Sequence, residues 1–330
     1  MKVVFLVNSV DGPSTRYRVL QYLPYFKKED WETKVSVFPK GMREKIQLLF
    51  SLKGFDMVFL QKRLLSLFTG HLLRKHSKRL IFDFDDAIMF RDFPRGDFHS
   101  RIRENRFVRM MKNADMVIAG NDYLKKQAIS YNDHIFIVPT PIDMKRYRPK
   151  IYSRETPTLT LGWIGSSSTL YYLERLRSVW DRLFIRYPNI QLKIVADRFF
   201  DSDHIPIIKK RWDSGGEMDD LHSFDIGLMP LTDDPWSRGK CGFKLLQYMA
   251  VGLPVVCSPV GVNQEIVQHG VNGFWATHEE EWLEHLGRLI QDSNLREKMG
   301  KRAVQTVEEN YALELWAPRL LEILGSSLKH

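Results

Sequence analysis

Short apolar runs alternate with segments of helical periodicity along most of the chain. The first five runs are rich in Val, Ile, Leu and Phe: VVFLV (3–7), MVFLQ (57–61), LIFDF (80–84), MVIAG (116–120) and IFIVP (135–139). Runs this short fit strands of a parallel sheet that is covered on both faces. Strands that alternate with helices predict a doubly wound α/β fold.

The alternation pauses at PTPIDMKRYRPKIYSRETPT (139–158), where four prolines and several charges predict a linker. It resumes with a long amphipathic helix (170–187) and with further strands: LTLGWIG (159–165), QLKIVAD (191–197), FDIGLMP (224–230), PVVCS (254–258) and GFWAT (273–277). We therefore predict two Rossmann-like domains, residues 1–152 and 153–309. Residues 310–330 are predicted to form a helix that returns toward the N-terminal domain.

Composition narrows the class of protein. A chain of 330 residues suits two domains. Only two cysteines are present, which favours a reducing cytoplasm, and no apolar run has the length of a membrane span. The formal charge of +9 favours an anionic partner: a nucleotide, a nucleic acid or an acidic membrane surface. A motif for nucleic-acid recognition is missing, so we expect no nucleic-acid partner.

The stretch GKCGFKLLQYMA places positive charge at the start of a predicted helix that begins near Gly242. Lys240, Lys244 and Gln247 stand at i, i+4 and i+7, and Arg238 precedes them. A helix N-terminus already favours an anion, so lysines there are unfavourable unless a phosphate fills the position. The alternative is that these are solvated lysines at a frayed helix end.

A second loop, GWIGSSSTLYYL, joins a predicted strand to a helix through Gly165, Ser166 and Ser167. Glycine permits close approach of the backbone, and serine hydroxyls and helix amides donate to phosphate oxygens. Such loops lie at the carboxyl edge of a doubly wound sheet, where ligands bind. Serine caps without ligands are also common. We add Arg198 and Trp212 to the candidate ligand-binding residues of the C-terminal domain.

The N-terminal half contributes two further loops. DFDDAIMF ends a buried strand with Asp85 and Asp86, whose carboxylates suit acid–base chemistry, metal binding or simple helix capping. NSVDGPSTRYRVL follows the first strand, and its candidate contacts are Ser14, Thr15, Arg16 and Arg18.

Together these segments resemble the retaining glycosyltransferases of GT-B fold, family 4. The strongest part is GKCGFKLLQYMAVGLPVVCSPVGVNQEIVQHGVNGFWA (239–276), which is similar to the family's donor-site helix, Gly-x-Pro-Val strand and G-x-N-G turn. GWIGS, SFDIGLMPL and VPTPID resemble other landmarks of the family. DFDDA and STRYRVLQYL resemble N-terminal features of one of its branches.

The resemblance implies a cytoplasmic hexosyltransferase that makes cell-surface polysaccharide. Its donor would be a nucleotide-diphosphate sugar held by the C-terminal domain. Its acceptor, a glycan or a lipid-linked glycan, would be held by the N-terminal domain. The resemblance implies neither a metal nor another cofactor, because Lys240 and Lys244 would balance the charge of the leaving diphosphate. Asp85, Asp86 and Lys244 would be the catalytic residues.

The sequence departs from the family at the two glutamates that flank the donor helix, where Gly239 and Gln247 stand. Gln247 can still bind ribose hydroxyls, and Asp233 or Asp234 could replace the first glutamate. Asp85 stands where the family often has a histidine. These departures leave open a catalytically degenerate nucleotide-sugar-binding protein, and a nucleotide-sugar epimerase of the same fold is the other alternative.

Two basic, aromatic segments could place the protein at the inner membrane face. They are RYRVLQYLPYFKK (16–28) and MFRDFPRGDFHSRIRENRFVRMMK (89–112). Such segments suit contact with anionic lipid, although core-packing or solvated helices have the same pattern.

Overall fold

The computed structural model describes residues 1–91, 97–151 and 158–326. The predicted domain boundary between residues 152 and 153 lies outside these described residues. So do the last four residues of the predicted C-terminal helix and part of the basic segment 89–112.

Every sheet pairing between the named strands of the described chain is parallel. The strands are β1 (Lys2–Val7), β2 (Glu32–Val37), β3 (Met57–Gln61), β4 (Leu80–Phe84), β5 (Met116–Ala119), β6 (Ile135–Ile137), β7 (Leu159–Ile164), β8 (Ile190–Ala196), β9 (Ile207–Arg211), β10 (Ile226–Met229), β11 (Val255–Cys257) and β12 (Gly273–Trp275).

Helices connect these strands and cover the sheets. They are α1 (Pro13–Arg18), α2 (Leu23–Lys28), α3 (Met42–Ser51), α4 (Leu67–His76), α5 (Arg101–Asn113), α6 (Asp122–Ala128), α7 (Ser167–Glu174), α8 (Arg177–Arg186), α9 (Glu217–His222), α10 (Pro235–Arg238), α11 (Phe243–Ala250), α12 (Asn263–Ile266), α13 (Glu279–Gln291), α14 (Ser293–Asn310) and α15 (Leu313–Ser326). Short 3₁₀ turns follow α1 and α3.

The chain divides into two compact units. Unit 1 consists of Met1–Pro141, Asp234–Cys241 and Leu313–His330. Unit 2 consists of Ile142–Asp233 and Gly242–Ala312. The chain therefore crosses between units four times, and a short segment from the middle of the second half packs with the first. We call this segment, Asp234–Cys241, the strap.

In unit 1 the sheet order is β2-β1-β3-β4-β5-β6. Alternate residues of β1 enter different cores: Val4 and Leu6 pack under α3, α4 and α5, whereas Val3 and Phe5 pack with α2 and α15. The direction in which successive strands are added to the sheet reverses between β1 and β3. In this pair, Phe5 is in register with Phe59. In a doubly wound sheet this switch point opens a crevice at the carboxyl ends of the strands.

In unit 2 the sheet order is β12-β11-β10-β7-β8-β9. Numbered within the unit, this is the 3-2-1-4-5-6 order of the Rossmann fold, with its switch point between β7 and β10. Two cores flank the sheet, and Trp163, Trp180 and Trp282 are fully buried in one of them.

Ten of the twelve described strands coincide with predicted apolar runs, and the two that the runs missed are edge strands. β2 and β9 are largely exposed, and the KKR of β9 is not apolar at all. The predicted helix over 170–187 is in fact two helices, because the chain turns at Arg175 and Leu176. The helix of 243–250 begins one residue after the predicted start.

Candidate functional site

Three neighbouring loops of unit 1 bring a cation and two carboxylates together at the β1/β3 switch point. Lys62 follows β3, Asp85 and Asp86 follow β4, and Ser14 lies in the first turn of α1. The Lys62 ammonium lies 3.1 Å from Asp85 Oδ1 and also pairs with Asp86. Ser14 Oγ donates to Asp85 Oδ2 at 2.7 Å. We call Ser14, Lys62, Asp85 and Asp86 the switch-point cluster.

The backbone of Lys62 is strained. Its φ of 48° lies in the left-handed region, which costs a residue with a Cβ about 1–2 kcal/mol. Its amide nevertheless donates to the Asp83 carbonyl at 2.7 Å and so prolongs the β3–β4 pairing. Strain of this kind is concentrated at functional sites, where the surrounding structure holds it in place.

Burial and charge oppose each other in this cluster. Burial by itself raises the pKa of Asp85, but Lys62 and then Arg18 outweigh it and hold that pKa below its ordinary value. Burial by itself lowers the pKa of Lys62, but Asp85 and Asp86 hold it above its ordinary value. Lys62 and Asp85 therefore form an ionised pair at neutral pH.

Two other residues predicted in the loop after β1, Thr15 and Arg18, make contacts inside the unit. Thr15 is buried, and its hydroxyl donates to the Gln61 side chain at 2.9 Å. Arg18 is also buried; it pairs with Asp83 through a 3.2 Å bond from Nε and a shorter one, and it donates to the Val138 carbonyl. Thr15 and Arg18 are thus buried and have internal partners, which argues against the acceptor contacts predicted for them.

Of that loop, Ser14 belongs to the switch-point cluster and Arg16 stays half-buried. The Arg16 guanidinium donates to the Tyr17 hydroxyl at 2.7 Å and lies over its ring. Arg16 remains a candidate contact.

Hydrogen bonds attach the strap to the rest of unit 1 beside Asp85. Asn121 Nδ2 donates to the carbonyls of Gly239 and Lys240, both at 3.2 Å. Cys241 Sγ donates to the Asp85 carbonyl at 3.1 Å. A Cβ at Gly239 would come within 2.9 Å of the Ala87 amide nitrogen, so only glycine permits this approach. The strap therefore cannot shift without disturbing the loop that carries Asp85.

The position of the strap corrects the predicted helix extension. Arg238 and Lys240 belong to unit 1, whereas Lys244 belongs to unit 2. The Lys240 ammonium lies 5.4 Å from the centre of the Trp236 ring, within the strap. Asp234, a candidate replacement for the missing glutamate, is instead the N-cap of α10 and accepts from the Ser237 amide at 2.7 Å.

In unit 2 the structure brings two predicted segments together. Lys244 Nζ donates to Thr169 Oγ1 at 3.0 Å and lies 4.2 Å from the centre of the Trp163 ring. A Cβ at Gly165 would come within 2.5 Å of both the Lys244 ammonium and the Trp163 ring. The ammonium therefore stands directly over the glycine that follows β7, at the β7/β10 switch point.

Of the serines after Gly165, Ser167 is less available to a ligand than the sequence suggests. Asp197 accepts from the Ser167 amide at 2.6 Å and from its hydroxyl at 2.7 Å, and the hydroxyl is the main reason that the pKa of Asp197 is lowered. The Ser167 amide and hydroxyl thus already have an internal anion as partner. Ser166 is exposed and its hydroxyl meets that of Ser168 at 2.8 Å, and Arg198 is exposed beside Asp197.

Gln247 and Trp212 meet around a glutamate that the sequence analysis did not single out. Tyr147 donates to Glu217 Oε1 at 2.7 Å, and Trp212 Nε1 lies 3.2 Å from Glu217 Oε2. Gln247 is buried and its Nε2 donates to the Tyr147 hydroxyl oxygen at 3.1 Å. The Gln247 amide is therefore held by an internal network, which argues against the ribose contact expected from its position.

This network predicts the effect of Gln247→Glu. Tyr147 already donates its one hydroxyl proton to Glu217, so a carboxylate at position 247 would be buried without that donor. We expect the free energy of unfolding to fall by about 1–3 kcal/mol at pH 7. Burial would raise the folded pKa of the new carboxyl above its unfolded value of about 4.3, so the loss should grow as pH rises.

Urea unfolding at pH 5 and pH 8 measures this loss. Gln247→Leu is the matched control: it also removes the amide but adds no charge, and its smaller loss should not depend on pH. A Gln247→Glu variant that keeps wild-type stability and binds nucleotides more tightly would restore Gln247 to the ligand site.

Comparison with known proteins gives one family match. The family model "Glycosyl transferases group 1" matches residues 222–306, which include the strap and α11.

Two curated relatives are similar over part of their length. Spore coat protein SA of Bacillus subtilis is 32% identical over 213 residues, 55% of this chain and 56% of the relative. A sucrose synthase of Melioribacter roseus is 36% identical over 88 residues, 25% of this chain. The chain spans only 11% of that synthase, so neither match extends over two thirds of the relative.

Solved structures identify the fold. HepE of Anabaena, in complex with UDP and glucose, superposes with a TM-score of 0.76 over 99% of this chain and 100% of that one, at 15% identity.

The chain has the GT-B fold: two Rossmann-like units, each built around a six-stranded parallel sheet.

Two features of the described residues bear on possible membrane and metal partners. No helix in ranges 1–91, 97–151 and 158–326 is long and apolar enough to cross a membrane. Within the same ranges, no group of three His, Cys, Asp or Glu side chains is placed to hold a metal ion.

Some of the residues that sequence reasoning missed have a local signal in the sequence, and others have none. Lys62 and Asn121 each follow an apolar run closely, as Asp85 does, and the switch-point rule could have found them. Glu217 and Thr169 have no such signal, because their roles depend on helices that meet only in the folded unit.

Proposed function

We propose that this protein is a retaining, metal-independent hexosyltransferase of glycosyltransferase family 4. It moves a sugar from a nucleotide-diphosphate sugar to a glycan or a lipid-linked acceptor. The observation that carries the proposal is the Lys244 ammonium over Gly165, at the switch point of a Rossmann-like unit. This is where such units bind nucleotides. The family match over residues 222–306 and the UDP-bound HepE structure support the same reading.

In this proposal, unit 2 stabilises the leaving diphosphate. When the bond from the sugar to the diphosphate breaks, negative charge grows on the leaving oxygen. The Lys244 ammonium donates to Thr169, and the aromatic face of Trp163 keeps it in place. A preorganised cation of this kind lowers the barrier because its attraction to the leaving group increases in the transition state.

Unit 1 supplies the acceptor side. The Asp85 carboxylate is ionised and ordered, so it can accept a hydrogen bond from the acceptor hydroxyl or offset positive charge that develops on the sugar ring. Asp86 shares Lys62 with it. Arg16 in unit 1 and Arg238 and Lys240 on the strap are the remaining candidate contacts for anionic parts of the substrates.

A binding protein without transfer activity is the second candidate. Gly239 and the internally held Gln247 stand where the family has glutamates, and this favours it. It predicts that a nucleotide-sugar binds but is neither hydrolysed nor transferred.

We also propose that the protein works in the cytoplasm, at the inner membrane face, on cell-surface polysaccharide. Helix α5 is basic, and Ile102 on it is 67% exposed; Leu67 and Phe68 at the start of α4 are 68% and 57% exposed. Apolar side chains on a basic helix suit contact with anionic lipid. The segment 16–28 contributes less, because its Tyr22 and Phe26 are buried in the core.

A thermal-shift screen of nucleoside diphosphates and nucleotide-sugars tests the function. A ligand that binds only the folded state raises Tm. At a ligand concentration of 100 times Kd, the free energy of unfolding increases by about 2.7 kcal/mol. The donor that gives the largest shift is then incubated with the protein, and release of the nucleoside diphosphate is measured with and without oligosaccharide acceptors. A shift without release supports the binding protein, and no shift with any nucleotide contradicts both candidates.

A further inference from the structure

We propose that Lys62 is a positioning residue that fixes the Asp85 carboxylate for the acceptor hydroxyl, an inference that rests on the proposed glycosyl transfer. Lys62 lies at the carboxyl end of β3, directly at the β1/β3 switch point. Ligands of doubly wound sheets bind at this place. Lys62 acts through its two ion-pair partners, Asp85 and Asp86, and so does not itself need to contact the substrate.

Asp85 is fixed from three elements of unit 1. Its Oδ1 faces the Lys62 ammonium at 3.1 Å, its Oδ2 accepts from the Ser14 hydroxyl at 2.7 Å, and its carbonyl accepts from Cys241 of the strap. Side-chain exposure is 13% for Asp85 and 22% for Lys62. One side of the cluster is thus packed and the other still reaches solvent, where an acceptor hydroxyl would arrive.

Lys62 is the cation that makes this arrangement stable. The charged and titratable groups around Asp85 are Lys62 after β3, Arg18 on α1, Asp83 on β4, the adjacent Asp86 and the Cys241 thiol on the strap. Arg18 also lowers the pKa of Asp85, but less than Lys62 does, and its guanidinium is held in a buried pair with Asp83. Without Lys62, Asp85 and Asp86 would lose the cation that they share, and the pKa of Asp85 would rise.

The backbone gives independent support. Lys62 has a φ of 48°, although glycine would adopt this conformation without strain. A lysine at this position therefore costs stability relative to glycine, and the ammonium that it places between Asp85 and Asp86 is the compensating feature. A residue kept only for the turn would not need that side chain.

The decisive variant is Lys62→Met, which keeps most of the stem and removes the charge; Lys62→Arg is the matched control. We expect Lys62→Met to shift the acid limb of the turnover–pH curve up by about 1–3 pH units, so that turnover falls most below pH 6, about tenfold near pH 5. Turnover should recover toward the wild-type value at pH 9. Lys62→Arg should restore the acid limb, and the Kd for the nucleoside diphosphate should be unchanged in both variants.

A titration without substrate separates this inference from the proposed function. With ¹³C-labelled aspartate carboxyls, and Asp85→Asn to assign the signal, the pKa of Asp85 should be higher in Lys62→Met than in the wild type. If no nucleotide-sugar is ever turned over, the function is wrong, but this titration still decides whether Lys62 controls Asp85. An unchanged titration and an unchanged acid limb would overturn the role of Lys62.

Lys62→Gly covers the case in which Lys62→Met does not fold. It removes the same charge but relieves the left-handed backbone, so the protein should fold with near wild-type stability. It should show the same upward shift of the acid limb. A Lys62→Gly variant with the wild-type pH profile would contradict the proposal as directly as the methionine variant.

Discussion

Replacing Lys244 with alanine should reduce sugar transfer about a hundredfold or more and weaken binding of the nucleoside diphosphate at least about tenfold. Removing one preorganised donor to a developing negative charge costs about 10²–10³ in turnover in other enzymes. The apo protein should lose little stability. Lys244 is half-buried, and the lost contacts to Thr169 and Trp163 correspond to about 1 kcal/mol, or about 2–4 °C in Tm.

Three further variants separate charge at the site from charge in general. Thr169→Val removes the hydroxyl that Lys244 contacts but leaves the ammonium, so transfer should fall only a few-fold. Lys301→Ala removes an exposed lysine of the same unit and should have no effect. Lys240→Ala, on the strap, should weaken transfer less than Lys244→Ala. If Lys244→Ala unfolds like a core mutant, at a cost of about 2–5 kcal/mol, and binds nucleotide normally, Lys244 is structural.

The fold was readable from the sequence wherever both faces of a strand are buried. β3 and β4 are buried at every residue, and their apolar runs end at the same residues as the strands. β2 and β9 lie at sheet edges, where one face meets solvent and the pattern becomes polar. Local hydrophobicity cannot distinguish such strands from loops, because their pairing partner lies elsewhere in the chain.

The candidate site was readable only in part, for a related reason. Lys244 and Gly165 lie 79 positions apart, yet each had a local signal: a lysine at a helix start and a glycine at a strand end. The strap had none. Lys240 was predicted to lie on the N-terminal extension of α11, but hydrogen bonds from Asn121 and to Asp85 attach the strap to unit 1, and Trp236 packs against the core of that unit.

Whether a charged side chain is buried could not be read from the sequence. Arg18 occupies a loop where ligand contacts are common, but Asp83 lies beneath it and takes its guanidinium. A charged residue next to a site is either a ligand contact or the partner of an internal charge, and the sequence does not show which. Asp85 differs from Asp83 in this respect, because its cation, Lys62, is itself partly exposed at the carboxyl edge.

Replacing Asp85 with asparagine should lower turnover at least about tenfold, which corresponds to about 1.4 kcal/mol of activation free energy. Asparagine has nearly the same shape and can still accept from Ser14, but it carries no charge. A group that acts on the acceptor hydroxyl or on the charge of the sugar ring acts mainly in the transition state. The Kd for the nucleoside diphosphate should therefore change little, since the proposed diphosphate contact, Lys244, belongs to unit 2.

The same variant has a second signature, in stability. Lys62 holds the pKa of Asp85 in the folded protein below its unfolded value, so Asp85 stabilises the fold above that unfolded value, about 3.9. This contribution is lost as pH falls through the folded pKa. Asp85→Asn should consequently be less stable than the wild type at pH 7, and the difference should shrink as the pH is lowered below about 4.

Asp86→Asn is the matched control, because Asp86 pairs with the same lysine but is more exposed, at 24% against 13%. If Asp85 acts on the acceptor, Asp85→Asn should lose more turnover than Asp86→Asn at equal loss of stability. If the pair only supports the loop, both variants should lose activity in proportion to stability. Turnover at several pH values and urea unfolding on the same two purified variants decide this, and normal turnover in Asp85→Asn would remove Asp85 from the catalytic machinery.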